Sequence, residues 1–219
     1  PGAFGNALYL FGMDVLDDLY GWAYDVRFDV PESIELMLLM SQHLPGLERP
    51  GVVLTAPVFA TDDDRAQRDL SVLDSCPVLD RALAAAPYVP MTLDVAYDGD
   101  MTNYPDDHRW GVDNMWTSGP GDALVTAMSS VAADLPPAPS HALWMNWCPP
   151  DDRPDMAYSI EDDIYIALYG SWTDASDDAR YQHWARDHMR DLEPLATGIQ
   201  LADENLRQRP APFLSTAHF

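Results

Sequence analysis

The run DIYIALYGSW, residues 163–172, carries two tyrosines four positions apart. Strand alternation would put Tyr165, Ala167, Tyr169 and Ser171 on one face and Ile164, Ile166 and Leu168 on the other. A phenol can act as a general acid or base when its neighbours lower its proton affinity. Tyr165 and Tyr169 are therefore the candidate catalytic residues, with aromatic packing or an interface as the alternative use. Trp116, Trp144 and Asn146 lie on other strand-like segments and are candidates to line the same surface and bind substrate.

Other chemistry has weaker support. The chain contains no GxGxxG, Walker loop, GxSxG or HExxH. His183 and Asp187 are four apart and could share a metal on one helix face, and Asp106-Asp107-His108 offers further ligand atoms. Arg180, Arg186 and Arg190 interleave with the first group, which reads better as a solvated charged face, so no metal site is expected. Cys76 and Cys148 form no CxxC pair, and neither a disulfide framework nor a thiolate nucleophile is expected.

These residues need elements to hold them. Residues 20–28 alternate aromatic and polar side chains and predict a strand. Asp29 and Pro31 then predict the start of a helix with Ile34, Met37 and Leu38 on its apolar stripe. Residues 51–60 read as a strand, despite Pro57, and Thr61 to Asp64 open a helix. A helical run near 77–86 and an Asp-rich, Gly-rich connection from Tyr88 to Trp110 follow. Residues 111–117 predict a strand, 121–135 a helix stopped by prolines, and 142–148 another strand. A polar loop spans 149–161. A long helix is predicted from Asp174 to Leu192, then a short strand at 197–202 and an irregular tail.

Segments 142–148 and 163–172 have no crossover helix between them, so they must pair antiparallel. The fold class is therefore α+β. One mostly antiparallel sheet carries helices over its aliphatic face, and its aromatic face is left for a cofactor, a substrate or a partner.

Composition bounds the partners. Twelve basic residues, all Arg, face 36 acidic ones, 30 of them Asp, for a net charge of −24. Such a field repels phosphate backbones, and the Arg residues are scattered, so nucleic acid is not an expected partner. No apolar run reaches membrane-span length, and no signal peptide is read at the start, so a cytoplasmic protein without membrane contact is expected. The acid excess reads as a solvated surface or a high-salt adaptation.

Residues 163–206, DIYIALYGSWTDASDDARYQHWARDHMRDLEPLATGIQLADENL, resemble the C-terminal part of FAD-linked oxidases of the berberine bridge enzyme-like group. The likeness rests on Tyr169 and Trp172 at a strand end, Asp174, Asp177 and Asp178 at a helix cap, Trp184-Ala185-Arg186, and Gly198 to Asn205. The stretch MTNYPDDHRWGVDNMWTSG is similar to the segment leading into the family's substrate strand. The resemblance spans about residues 15–215.

It implies that residues 1–219 form a single substrate-binding-type domain, whose partner is an N-terminal FAD-binding domain outside this chain. FAD would be the cofactor. Tyr165 and Tyr169 would face the cavity between flavin and substrate, Trp116 and Tyr104 would contact substrate, and Gln200 and Asn205 would approach the cofactor. The implied function is the substrate-binding portion of a flavin-dependent oxidoreductase acting on a small organic molecule. The alternatives are a stand-alone small-molecule binding protein, a cofactor-free enzyme, or a dimeric α+β barrel in which two sheets face each other.

Overall fold

The computed structural model describes residues 2–44, 46–47, 49–150, 158 and 160–218. Seven strands form one sheet: β1 (Ala3–Gly12), β2 (Met37–Ser41), β3 (Gly51–Ala60), β4 (Ala84–Pro90), β5 (Arg109–Thr117), β6 (His141–Asn146) and β7 (Ile164–Trp172). Their order is β4-β1-β3-β2-β6-β7-β5, and every neighbouring pair is antiparallel. The helices are α1 (Leu16–Asp25), α2 (Asp63–Leu70), α3 (Leu93–Met101), α4 (Gly121–Ala133), α5 (Asp178–Tyr181) and α6 (Trp184–Leu192). The α+β reading holds. Among the described residues no helix is long and apolar enough to cross a membrane.

The sheet contains the same unit twice. Strands β1 and β2 both pair antiparallel to β3, so they run parallel to each other with α1 connecting them. Strands β5 and β6 flank β7 in the same way, with α4 as the connection. The two units join through the antiparallel β2–β6 pair, where Leu39 meets Leu143, and α1 packs on α4. This arrangement has an approximate two-fold relation about the centre of the sheet.

Helices α1, α2, α4 and α6 cover one face. Beneath them lie Phe11, Leu38, Met40, Leu54, Trp144, Ile166 and Leu168, all 0% exposed. Each buried side chain of this kind contributes about 1.5–3 kcal/mol, so this layer carries most of the fold's stability.

Several local expectations change. Residues 20–28 are mostly helix, because Leu16, Leu19, Tyr20 and Ala23 form the buried i, i+3, i+4, i+7 stripe of α1. The aromatic alternation at 20–28 mimicked a strand. The helix predicted after Asp29 is instead β2, where Leu38 and Met40 alternate inward between two partner strands. Only one 3₁₀ turn, Leu79–Arg81, stands where a helix near 77–86 was expected, and the Ala-rich segment extends as edge strand β4. Its Pro87 and Pro90 suit an edge.

The connection from Tyr88 to Trp110 contains α3, capped by Thr92 Oγ1, which accepts the Val95 amide at 3.3 Å. The long helix after Asp174 is broken into a 3₁₀ turn, α5 and α6. At the break the backbone of Gln182 sits so close to Gly111 that a Cβ there would lie 3.2 Å from its carbonyl oxygen. The short strand at 197–202 is a single bridge between Trp116 and Gly198. Most of the loop at 149–161 lies outside the described residues.

Candidate functional site

On the face away from the four packing helices, β5, β6 and β7 place their side chains in rows. Register sets Val112, Tyr169 and His141 in one row, Asn114, Ala167 and Leu143 in the next, and Trp116, Tyr165 and Met145 in the third. Tyr165 and Tyr169 thus flank Ala167, whose methyl group leaves room above it. That room is taken by a carboxylate. Asp203 Oδ2 accepts from the Tyr165 hydroxyl at 2.9 Å and from the Tyr169 hydroxyl at 2.8 Å.

Around this triad the rings make a continuous cluster. Trp116 lies 4.8 Å from Tyr165, centroid to centroid, and its indole N–H donates to the Tyr158 hydroxyl at 2.6 Å. His141 stacks on Tyr169 at 4.5 Å and 18°. Tyr104 stands edge-on to both.

The C-terminal segment delivers Asp203 by wrapping the outer edge of β5. Trp116 donates its amide to Gly198 O at 2.7 Å. The Asn114 side chain then clasps the Gln200 backbone, accepting its N–H at 2.7 Å and donating to its carbonyl at 3.0 Å. Beyond Asp203, Arg209 turns inward, 3% exposed. It donates to both carboxylate oxygens of Asp113 at 2.7 and 2.6 Å, and to the Asn114 carbonyl. Ala202 holds φ at 114°, a conformation that L-residues rarely adopt, directly before the carboxylate. Its N–H donates to the Glu204 side chain. A cleft of about 650 Å³ opens here, lined by Trp110, Val112, Asp203 and Asn205 among others.

The electrostatics differ from the sequence-based expectation. Burial, and then the Asp203 carboxylate, push the Tyr165 phenol far above its usual range. Burial, Tyr165 and Asp203 do the same to Tyr169. These hydroxyls hold their protons and act as hydrogen-bond donors. His141 moves the other way: burial lowers its proton affinity, against the smaller opposing effects of the Pro139 carbonyl and Asp203.

The structure brings Tyr104, Trp116, Tyr165 and Tyr169 together. It does not bring Trp144 or Asn146 to them. Those two project to the opposite face, where Trp144 meets Tyr20 edge-on and donates to Asn146 Oδ1 at 2.8 Å. Asn146 in turn donates to the Ala23 carbonyl, tying β6 to α1. Both serve the packed layer. Gln200 lies in the strap through its backbone, and Asn205 lines the cleft.

His183 accepts or donates a hydrogen bond with Gln208, Asp187 pairs with Arg186, and among the described residues no cluster could hold a metal. Burial and then Asp163 push the Cys148 thiol up to about 11, and its Sγ lies 3.2 Å from the Arg27 carbonyl. It is therefore a poor nucleophile. Sequence reasoning missed Asp203, Arg209 and His141. For Asp203 the only signal was its place within the Gly198 to Asn205 segment.

No protein-family profile matches the chain. The FAD-linked oxidoreductase nodO of Hypoxylon pulicicidum is 26% identical over 94% of the chain and 46% of its own length. The chain is similar to one portion of FAD-linked oxidoreductases. It spans about half the length of that curated relative. In fold it matches 6-hydroxy-D-nicotine oxidase from Arthrobacter nicotinovorans, with a TM-score of 0.66, 15% identity, and coverage of 93% of this chain and 46% of that one. A variant of berberine bridge enzyme gives 0.60 and 13%, with coverage of 91% and 42%. In each case the similar region is only part of the longer chain.

Proposed function

We propose that this chain is the substrate-binding portion of an FAD-dependent oxidoreductase acting on a small organic molecule. Its FAD-binding partner domain would lie against the face of β5, β6 and β7. The observation that carries this is the Tyr165–Asp203–Tyr169 triad: polar groups placed on a sheet face and wired to a carboxylate that the chain brings in from elsewhere.

Trp116, Tyr165 and Met145, with Leu143 packed against them, form a buried apolar cluster on this face, and the phenols supply donors at its edge. FAD, when bound, accepts the hydride that the protein itself cannot. Tyr165 and Tyr169 orient substrate by donation, Trp116 and Tyr104 enclose it, and Gln200 and Asn205 border the cofactor. Bringing the partner domain down on this face excludes water and strengthens each of these hydrogen bonds. A cytoplasmic setting fits two unpaired cysteines.

The test is spectroscopic. Purified full-length protein should carry the visible absorbance of flavin. Tyr169→Phe and Asp203→Asn should shift that spectrum and the flavin's reduction potential, while Trp144→Phe should leave both unchanged. A colourless protein that binds no added FAD sinks the proposal, as does a spectrum insensitive to all three substitutions.

A further inference from the structure

The phenols hold their protons, so a proton acceptor for an oxidation has to be found elsewhere on this face. His141 has the geometry for it. It sits in the row of Tyr169 on β6 and is 2% exposed. Its Nδ1 lies 2.9 Å from the Pro139 carbonyl oxygen. A carbonyl only accepts, so Nδ1 carries the proton and Nε2 presents a lone pair. That Nε2 is buried and has no hydrogen-bond partner. Buried acceptors are nearly always satisfied, and one left open asks for a donor.

The surroundings support a neutral ring. Tyr169 stacks on one side and Tyr104 stands edge-on at 5.6 Å. Across the sheet β2 contributes Ser41, whose hydroxyl is spent on the Ser140 carbonyl. The titratable groups that bear on the imidazole are Tyr169 from β7, Tyr104 from the α3–β5 connection and, farther off, Asp203 from the strap. Tyr104, 37% exposed, is the most accessible of these rings.

We infer that His141 Nε2 accepts the proton of an alcohol or amine X–H bond as the substrate is oxidised, with Tyr104 displaced to admit it. This rests on the flavin-dependent reading above. In the step, the carbon–hydrogen bond would break with both electrons, and the flavin that the partner domain would hold would take up the hydride. The X–H proton goes to Nε2, and the electron pair left on X forms the C=X double bond. The imidazolium then returns its proton to water past Tyr104.

The experiment uses flavin-loaded full-length protein under anaerobic conditions, with a panel of benzylic and aliphatic primary alcohols and amines as probes. Flavin bleaching is followed against pH. For the fastest probe, His141→Phe, which keeps a ring but no acceptor, should slow bleaching by about 10²–10⁴-fold. It should also abolish the fall in rate at acid pH that protonation of Nε2 causes in the parent.

His141→Gln, which keeps an acceptor but no base, should bind the probe and lose the same acid limb. It serves if the Phe variant fails to fold. In protein labelled with ¹⁵N-histidine, the probe should move the Nε2 resonance toward its hydrogen-bonded position. An unchanged rate and acid limb in either folded variant overturns the assignment to His141. So does a flavin-loaded parent that no alcohol or amine bleaches, although flavin binding itself then still supports the broader reading. Absence of bound flavin overturns the broader reading instead.

Discussion

The two halves of the sheet share a backbone and differ in what they display. Matching register through the β2–β6 pair sets Leu8, Gly12, Met37, Gly51, Val53 and Thr55 of the first half against Val112, Trp116, His141, Tyr165, Ala167 and Tyr169 of the second. On the helix-covered face the halves are alike, with Val52 matched to Ile166, both 0% exposed. Their outer edges also differ. The first half is closed by a full strand, β4, along β1, whereas the second is closed by one bridge at Gly198 and the strap beyond it. The cleft beside Asp203 lies along that second edge. One architecture thus serves twice for stability, and only its second half gathers phenols around a carboxylate.

The strap is where this asymmetry breaks most sharply. Asp113→Ala would leave the Arg209 guanidinium buried without its partner, and breaking such a pair costs about 3–5 kcal/mol. Denaturant unfolding should show a loss of that size. The strap should also loosen and take Asp203 away from the phenols, so the flavin spectrum of the full-length protein should shift as it does in Asp203→Asn. A destabilised protein with an unaltered spectrum would separate the strap from the site.

Next in size come the paired positions of the common layer. Ile166→Ala should cost about 2–5 kcal/mol. Val52→Ala, removing one fewer methylene, should cost about 0.8 kcal/mol less. Neither should alter the flavin environment. Tyr169→Phe should behave oppositely, costing about 1 kcal/mol for one hydrogen bond while changing the flavin signal. Equal stability losses at Tyr169 and Ile166 would mean that the second half's polar face is a core after all.

The sequence was legible where one pattern excluded others. Alternation in 163–172 and the apolar runs at 51–60 and 142–148 are strands as read, because prolines, glycines or acidic caps bound them. It misled where two periods fitted one segment. Tyr20, Trp22 and Tyr24 alternate, yet Leu16, Leu19, Tyr20 and Ala23 also fit a helix, and packing on α4 selects the helix. In β2, five residues are too few to separate the periods, and pairing on both sides decides. Strand β1 was not singled out at all.

Site residues divide in the same way. The Tyr165 and Tyr169 parity is local and readable. Trp144 is aromatic like its neighbours across the sheet, but its face depends on register, which no local pattern reveals. Asp113 and Arg209 are 96 residues apart, and nothing near either announces the other. His141 is a lone histidine in an apolar strand, and only its unsatisfied Nε2 distinguishes it.

The alkaline titration is the effect most specific to the second half. Tyr165 and Tyr169 have folded-state proton affinities raised by burial and by Asp203, so between the unfolded and folded values the native state binds more protons. Their stabilising contribution is fully present below the unfolded phenol value, about 10, and is lost as pH rises above it. Each phenol adds a fall of about 1.4 kcal/mol per pH unit in that window. Tyr9 and Tyr20, raised by burial under the helices, add to the same alkaline loss and belong to the first half. The Tyr165→Phe, Tyr169→Phe double variant should therefore unfold less steeply with pH than the parent, by up to two protons' worth of slope, while retaining the Tyr9 and Tyr20 share. Parallel slopes would show that the carboxylate does not hold the pair, and the contrast between the two halves would reduce to shape alone.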